Sequence, residues 1–445
     1  MHEGLVQSLN KIREVSSDIY HKYIPEITSD TDIGKLATPI FEVPEVYNEF
    51  CNALVNRIVY TQFMAKSFRN PFTVLEGDAI PLGFAGQNVY VNPAKGRQYN
   101  ADDFAGLLIK YSADVKVQYT KINFDVQYPV TFSRQQLKKA FVSWNDLETF
   151  IDGLSNSLYN GAYIDEYNAT KQLIAGAYKD NIAQIETVTA ITTEATAKEF
   201  VAKARELYLQ FQTPSDKYNA WAKNDANNGR PVTTWTNPED IVMIVRNDIR
   251  AYLDVNVMAS AFNIDKTSLL GNILTVNDFD IYNDDGTKNF DGSSIVGIIA
   301  DKSWFQIKRQ DMFMDSFYNA NNRSIQYYLN NIKMYNMSLF ANGVILATEE
   351  PNVEITGLSF NAPEGITLTE TGEIEGLDIV VTPHNANTPT IQYSSENNNV
   401  FTVTLDPNNN RHVYITAVGE GSTALKAVAG EVVTSVPVTV ESTVA

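Results

Sequence analysis

The stretch that decides the fold is residues 140–178, AFVSWNDLETFIDGLSNSLYNGAYIDEYNATKQLIAGAY. Its apolar side chains recur at steps of three and four, the spacing of one face of an α-helix. They are Trp144, Leu147, Ile151, Leu154, Leu158, Ile164, Tyr167, Leu173 and Ile174. No proline lies between Pro129 and Pro214, and Gly153 and Gly161 weaken a helix without forbidding it. The pattern therefore predicts one helix of roughly 35 residues, about 50 Å long at 1.5 Å per residue.

A helix of that length exceeds the usual diameter of a small domain and serves better as a spine for other elements. The alternative is a pair of shorter helices separated near Gly161. The function of the protein is therefore expected to depend on elements that are attached to this helix.

Length and composition limit the class of protein. A chain of 445 residues is expected to form two or three domains. No apolar run approaches the ~20 residues that cross a bilayer, and the start MHEGLVQSLNKIREV lacks the apolar core of a secretory signal. The single cysteine, Cys51, excludes an internal disulfide framework and a multi-cysteine metal site, and favours a reducing compartment.

The charge and the histidines also restrict function. A net charge of −19 argues against a general nucleic-acid binder, which needs a basic surface, but allows a protein that encloses nucleic acid without gripping it. The four histidines show no HExxH or HxH spacing, which argues against a histidine-based catalytic site. They are His2, His21, His384 and His412.

The N-terminal third changes character twice. Residues 1–65 are expected to form an arm and then a helix over 45–64, with segment 18–44 either extended over a neighbour or simply irregular. Residues 66–131 carry frequent turn signals and alternating apolar positions from Val115 to Val130, with a break near Lys121. They predict a long two-stranded hairpin, which has little core of its own.

Residues 182–345 favour a sheet with helices packed on it. A helix is predicted over 195–211 and a buried strand over 241–246, followed by a helix that begins at Asn247-Asp248 and continues through Leu253, Val257 and Phe262. Further strands are expected in GNILTVNDF and SSIVGIIADKSWFQI, and a loop in IYNDDGTKNFDGSS. Residues 324–347 close this part and begin as a strand.

Residues 351–442 form a distinct module after a linker at Glu349-Glu350-Pro351. Seven short alternating segments separated by turn residues are typical of a small antiparallel β-sandwich. These segments are VEITGLSF, LDIVVTP, TIQYSS, VFTVTLD, HVYITAV, STALKAVAG and TSVPVTVES.

Motifs that carry chemistry are absent from the sequence. It contains no GxSxG, no GxxxxGK[ST] and no GxGxxG. Asp284-Asp285-Gly286 resembles a fragment of a calcium loop, but the glutamate that completes the pattern is missing, so a turn is the favoured interpretation. We expect no catalytic residues, no cofactor-binding residues and no metal ligands.

Taken in order, the chain resembles the major capsid protein of tailed bacteriophages, and is most similar to the major head proteins of small podoviruses of the Picovirinae type. The stretches that carry the resemblance are RNPFTVLEGDAIPLG (69–83), KKAFVSWNDLETF (138–150), AYIDEY (162–167), YLDVNVMASAFN (252–263), LLGN (269–272) and DKSWF (301–305). Residues 351–442, above all VGEGSTALKAVAG (418–430), resemble bacterial immunoglobulin-like group 2 domains.

The resemblance implies an α+β capsid fold with an all-β immunoglobulin-like sandwich appended. Its parts would be an N-terminal arm and helix (1–65), an E-loop hairpin (66–131), the spine helix of the P domain (132–184), an A domain with a return strand (185–345) and the sandwich (351–445). Some capsids of this class crosslink neighbours through a hairpin lysine and an asparagine. Lys95 is a candidate by position, although no partner motif is found.

The implied function is a structural subunit that assembles into an icosahedral or prolate head around double-stranded DNA. Its partners would be copies of itself in hexamers and pentamers, a scaffolding protein and a portal, with no membrane. It would be made in the host cytoplasm, end in the virion, and contact DNA without sequence specificity. An acidic inner wall would let DNA slide during packaging, and the C-terminal module could contact the host surface.

Two other classes remain open from the residues alone. A bacterial surface or adhesion protein would account for the immunoglobulin-like module, which recurs on unrelated proteins. A carbohydrate-active enzyme with an appended sandwich would need two carboxylates about 5–10 Å apart in a cleft.

Overall fold

The computed structural model describes residues 3–58, 68–81, 86–97, 110–224, 231–252, 273–283, 285–369, 372–407 and 409–441. The chain divides into two compact units. The first comprises Met1–Val89, Val117–Leu173 and Phe305–Met337, and the second comprises Tyr90–Lys116, Ile174–Trp304 and Ser338–Ala445.

The N-terminal part of the first unit is helical. Its helices are α1 (Glu3–Glu14), α2 (Asp18–Tyr23), α3 (Ile33–Glu42) and α4 (Pro44–Ile58). Segment 18–44 is therefore largely helical, although residues 24–32 between α2 and α3 are irregular, and it buries Tyr20, Ile33 and Ile40 in the core of the unit. The prolines misled the prediction, because Pro44 is the first residue of a helix, where its missing N–H has no partner to lose. The predicted end of the α4 helix, 59–64, lies outside the described residues.

The long helix is confirmed. It is α6 (Trp144–Lys179), a single element of 36 residues, preceded by the short α5 (Arg134–Ala140). Ser143 opens it, since the Ser143 hydroxyl accepts the N–H of Asp146 at 3.1 Å and donates to its carboxylate at 2.7 Å. Asn181 closes it in the left-handed conformation, with φ 50°. The alternative of two helices separated near Gly161 is wrong.

The sheet of the first unit has three antiparallel strands in the order β10–β11–β3. They are β3 (Phe124–Ser133), β10 (Phe305–Asn319) and β11 (Ser324–Met337). Side chains of this sheet share one core with α6 and the N-terminal helices. From the sheet come Phe132, Ile325, Tyr327 and Leu329, and from α6 come Leu147, Ile151, Leu154, Leu158 and Ala162.

A separate two-stranded ribbon is formed by β1 (Gly86–Val91) and β2 (Val115–Thr120). The predicted break near Lys121 is present, but β3 then pairs with β11 and not with the ribbon. The prediction of one hairpin running to Val130 is wrong beyond Thr120, because alternation along a strand does not identify its partner. Side-chain hydrogen bonds from Gln118 to Met337 O (2.7 Å) and from Asn123 to Tyr335 O (2.7 Å) fix this turn to β11.

The second unit contains a five-stranded mixed sheet in the order β4–β12–β9–β5–β6. Its strands are β4 (Gln184–Thr187), β5 (Ile241–Arg246), β6 (Ile273–Val276), β9 (Ile295–Asp301) and β12 (Gly343–Ala347). The predicted helix over 195–211 is α7 (Glu194–Phe211), and it packs Phe200, Ala204, Leu207 and Phe211 against the sheet. Two short helices, α8 (Trp221–Asn224) and α9 (Asn247–Tyr252), complete this part.

In two segments of this unit, 281–294 and 247–272, the sequence prediction is only partly matched by the described structure. The segment predicted as a loop contains a small hairpin of β7 (Ile281–Tyr282) and β8 (Lys288–Phe290). The helix after β5 begins at Asn247 as expected, but Leu253, Val257 and Phe262 lie outside the described residues, as do most of the stretches 252–263 and 269–272.

The C-terminal module is a sandwich of two four-stranded sheets, β13–β15–β18–β17 and β14–β20–β19–β16, around a single apolar core. Its strands are β13 (Gly357–Phe360), β14 (Ile366–Leu368), β15 (Ile374–Thr382), β16 (Gln392–Ser395), β17 (Phe401–Asp406), β18 (Asn409–Ala417), β19 (Gly421–Ala429) and β20 (Val432–Val440). The sequence missed β14, which has three residues and pairs parallel to β20. Within the described residues, no helix combines the length and the apolar character that crossing a membrane requires.

Candidate functional site

The segment Asp284-Asp285-Gly286, which resembles a calcium loop in sequence, forms a local turn at Asp285-Gly286 in the structure. Asp284 lies outside the described residues. Asp285 closes a local turn, accepting the N–H of Thr287 at 2.9 Å, and these hydrogen bonds from Thr287 hold the pKa of its carboxyl below the usual value. In the described part of the chain, no group of three histidine, cysteine or acidic side chains is arranged to hold a metal ion. His412 contacts Asp378 at 2.6 Å on the sandwich.

Cys51 is a core residue. It is 4% exposed within the first unit, and burial raises the pKa of its thiol to about 12. A buried thiol with so high a pKa is a weak nucleophile. The single cysteine of the chain is therefore expected to react poorly as a nucleophile in the folded protein.

The segment before the ribbon is fixed to the spine helix by aromatic stacking. Asn70 accepts the N–H of Phe72 at 3.0 Å and so opens a 3-10 turn over Pro71–Leu75. The Phe72 ring is buried and stacks on Tyr167 of α6, with ring centroids 5.2 Å apart and planes 12° apart. Such a pair contributes about 0.5–1.5 kcal/mol beyond the burial of its area.

A buried cluster of two carboxylates and two cations lies next to this turn. Lys333 of β11 donates to Glu76 at 2.8 Å and approaches Glu166 of α6 at 3.0 Å. Arg309 of β10 approaches the same two carboxylates at 3.3 and 3.4 Å, and Asn331 donates to Glu166 at 2.8 Å. Lys333 and Glu166 are each 1% exposed. The cluster therefore depends on complete pairing, since removing one partner leaves a buried charge uncompensated.

Backbone hydrogen bonds extend the same attachment toward the ribbon. Gly77 donates to Ile307 O and Ile80 donates to Arg309 O, both at 2.9 Å. Residues 76–80 thus lie along the edge of the sheet at β10, while the Glu76 side chain contacts Lys333 and Arg309 of the charge cluster. The cluster and these hydrogen bonds fix the position from which the ribbon begins.

Sequence reasoning missed this cluster. Its four charged residues come from segments separated by as many as 257 positions, as with Glu76 and Lys333. No local pattern links such residues. The available signal was that Glu76 and Glu166 both lie in stretches that carry the family resemblance.

The ribbon has an exposed apolar face. A side chain at Gly86 would overlap Thr120, so these residues oppose each other across the ribbon. Because side chains alternate along a strand, Val89 and Tyr119 lie together on the other face, where they are 55% and 74% exposed. Val91 and Val115 are also exposed, at 55% and 48%. A paired ribbon that leaves such side chains in water is a candidate contact surface.

The segments that flank the ribbon are locally basic. Residues 86–97 and 110–120 contain four cations and one carboxylate, Asp114, but residues 98–109 add Asp102 and Asp103, so the stretch 86–120 has a net charge of +1. The cations are Lys95, Arg97, Lys110 and Lys116. The full chain carries a net charge of −19. The stretch is therefore less acidic than the rest of the chain, but its charge does not identify a partner.

Comparison with known proteins identifies the family. The family model described as Phi29-like phage major capsid protein matches residues 9–347, which is most of the chain. The chain belongs to this family. The match ends with β12, so the sandwich lies outside it.

Relatives of this Phi29-like chain agree with that assignment. The major capsid protein of Bacillus phage B103 is 28% identical over 352 residues, covering 78% of this chain and 74% of the relative. That of Streptococcus phage Cp-1 is 26% identical over 344 residues, covering 76% and 92%. The capsid structure of Staphylococcus phage Andhra shares the fold, with a TM-score of 0.52 and 15% identity over 65% of this chain and 87% of the other.

The family assignment confirms the α+β capsid fold and the role of a head-shell subunit that assembles with itself as part of the virion. The family is one of structural proteins. The comparisons give no support to the bacterial adhesion alternative.

Proposed function

We propose that the ribbon of β1 and β2 is an E-loop that lies on a neighbouring subunit, and that the shell is built from rings of five and six copies. The observation that carries the proposal is the pair of exposed apolar side chains Val89 and Tyr119, which lie on the face of the ribbon opposite Tyr90, a residue that stacks on Phe340 of the same chain. Covering these side chains removes apolar area from water, which stabilises assembly by about 25 cal/mol per Å².

The family assignment supports a second copy as the occupant of that surface, because a major capsid protein assembles with copies of itself. Head-to-tail contacts of this kind close into rings when the rotation between neighbours allows it. Many modest contacts acting together hold a shell far more tightly than one pair.

The remaining parts of the proposal concern the partners. The subunit would be made in the host cytoplasm, assemble with the help of a scaffolding protein and a portal, and enclose double-stranded DNA. An acidic chain repels phosphates, so the inner wall would let the genome slide during packaging. A positively charged inner wall in an assembled particle would contradict this part.

For the C-terminal module, we propose an immunoglobulin-like domain on the outer surface of the head, available for contact with the host. It is supported by a self-contained apolar core and by its position after the end of the family match. The first 65 residues, the spine helix within 132–184 and the body within 185–345 would be the N-terminal, P and A parts of the subunit.

The experiment replaces the two exposed ribbon side chains. The double variant Val89→Asp, Tyr119→Asp is expected to lower the yield of closed particles at least about tenfold, because two charges would be buried at each contact. Particle yield is measured by electron microscopy and sedimentation under conditions in which the unmodified chain assembles.

The matched control is Val433→Asp, at a side chain 53% exposed on the sandwich. This variant is expected to assemble normally. A ribbon double variant that is folded by circular dichroism and still forms particles at the unmodified yield would contradict the proposal.

A further inference from the structure

A cavity of about 310 Å³ lies where the C-terminal sandwich meets the end of the spine helix, entirely within the second unit. Its wall includes Asn181, which follows α6, Lys223 of α8, and His384, Asn385 and Arg411 of the sandwich. Its volume falls in the range of small-molecule sites, about 300–1,000 Å³. No function described above uses it.

Hydrogen bonds join the parts of the cavity wall. Asn181 donates to Asn385 O at 2.9 Å, and Asn385 donates in return to Asp180 O. On the sandwich side, Asn387 donates to Pro351 O at 2.8 Å and accepts the N–H of Val353 at 2.9 Å. These bonds fix the loop 383–389 to both the linker and the helix end, so the cavity does not need a ligand in order to form.

Arg411 is held in place by the same loop. Its guanidinium donates to His384 O at 2.7 Å and to Ala386 O at 2.6 Å, which leaves further N–H groups of the fork available. Burial lowers the pKa of Arg411, but a guanidinium remains charged at every physiological pH. A fixed, partly buried guanidinium is well suited to bind an oxyanion.

Lys223 supplies a second cation. It donates to Ala183 O at 2.8 Å, and burial lowers its pKa to about 8 although Glu350 acts in the opposite direction. The lysine is therefore still largely protonated near pH 7. Within the described residues, neither Lys223 nor Arg411 has a carboxylate at salt-bridge distance.

The sandwich itself is poor in positive charge, so the presence of Arg411 at the cavity is notable. Residues 351–445 contain eleven carboxylates and only two cations, Arg411 and Lys426, yet one of the two cations lines the cavity. The other polar side chains of the wall are His384, Thr390 and four asparagines, whose amides donate and accept hydrogen bonds and suit hydroxyl groups. Asn410 is exposed at the cavity and its backbone O accepts from Tyr393 at 2.9 Å.

We propose that this cavity binds a sugar-sized phosphate, with Lys223 and Arg411 contacting the phosphate and the exposed Asn410 amide, together with the hydrogen-bonding capacity that the other asparagine amides retain, contacting the hydroxyls. The site belongs to the single subunit and does not depend on the proposed ring contacts. The ligand could be a free sugar phosphate or a phosphate-linked unit of a polymer, since both present the same chemistry.

The test is calorimetric titration of the full chain with glucose 1-phosphate, inorganic phosphate and glucose. Glucose 1-phosphate is expected to bind most tightly, inorganic phosphate less tightly, and glucose not measurably. Lys223→Gln is expected to weaken glucose 1-phosphate binding at least about tenfold. Asn410→Asp, which places a carboxylate at the cavity from an exposed position, is expected to do the same if Lys223→Gln fails to fold.

Lys426→Gln is the matched control, because it removes the other cation of the sandwich, and its affinity is expected to be unchanged. Competition by a glycerol phosphate polymer would assign a polymer as the source, and binding of the monomer alone would assign a free metabolite; both support the site. Absence of binding at millimolar glucose 1-phosphate, equal binding of glucose, or unchanged affinity in Asn410→Asp would overturn it.

Discussion

Lys333→Met is expected to lower the free energy of unfolding by about 3–5 kcal/mol, the range for breaking a buried ion pair. Glu166 is 1% exposed and would lose the cation 3.0 Å away; among the described residues, Arg309 at 3.4 Å would remain to balance its charge. Asn331 would still donate to it at 2.8 Å, which does not replace a charge. Urea denaturation of the unassembled subunit measures the change.

A double variant separates the energy of the Glu166–Lys333 interaction from the effect of removing either side chain alone. Glu166→Gln combined with Lys333→Met removes both charges and is expected to be clearly more stable than the sum of the two single effects implies. Lys139→Met, an exposed lysine on α5, is the control and is expected to stay within about 0.5 kcal/mol of the unmodified chain. Additive single effects would mean that the two charges do not depend on each other.

Ala162→Pro is expected to destabilise the first unit by about 3 kcal/mol or more. Ala162 is fully buried in the middle of α6, where proline would remove a backbone donor and clash with the preceding turn. The helix would kink between the core residue Leu158 and the stretch that carries Glu166 and Tyr167. Thermal and urea unfolding both report the loss.

Gly153→Ala is the matched control on the same helix. An added Cβ at Gly153 would meet no heavy atom within 4 Å, and glycine is a poor helix former. This variant is expected to gain about 0.5–1 kcal/mol. If Gly153→Ala destabilised the chain, or Ala162→Pro left it unchanged, α6 would not be a continuous helix in solution.

Local patterns were sufficient for much of the fold. The spacing of Leu147, Ile151, Leu154 and Leu158 predicted the spine helix because one stripe of it is buried. The continuous apolar run 241–246 predicted β5 because both faces of this strand are buried. Alternation in the C-terminal module predicted all of its strands except the three-residue β14.

What sequence did not provide was pairing between distant segments. Nothing near Lys121 indicates that β3 joins β11 and not the ribbon. The prolines near residue 40 argued for an irregular arm, whereas the apolar residues around them bury enough area to hold α3 in the core. The charge cluster combines residues from four separate segments and the cavity beside the sandwich combines residues from five, which no local motif describes.

The most direct test of shell assembly through the ribbon is the thiol reactivity of Tyr119→Cys in free and assembled subunits. Cys51 is buried with a raised pKa, so the introduced cysteine is the reactive thiol of the chain. Val433→Cys on the sandwich serves as a control that is expected to react in both states. Fast labelling of Tyr119→Cys in the free subunit and at least about tenfold slower labelling in particles is the expected result. Equal labelling in both states would contradict coverage of the ribbon by a neighbouring subunit.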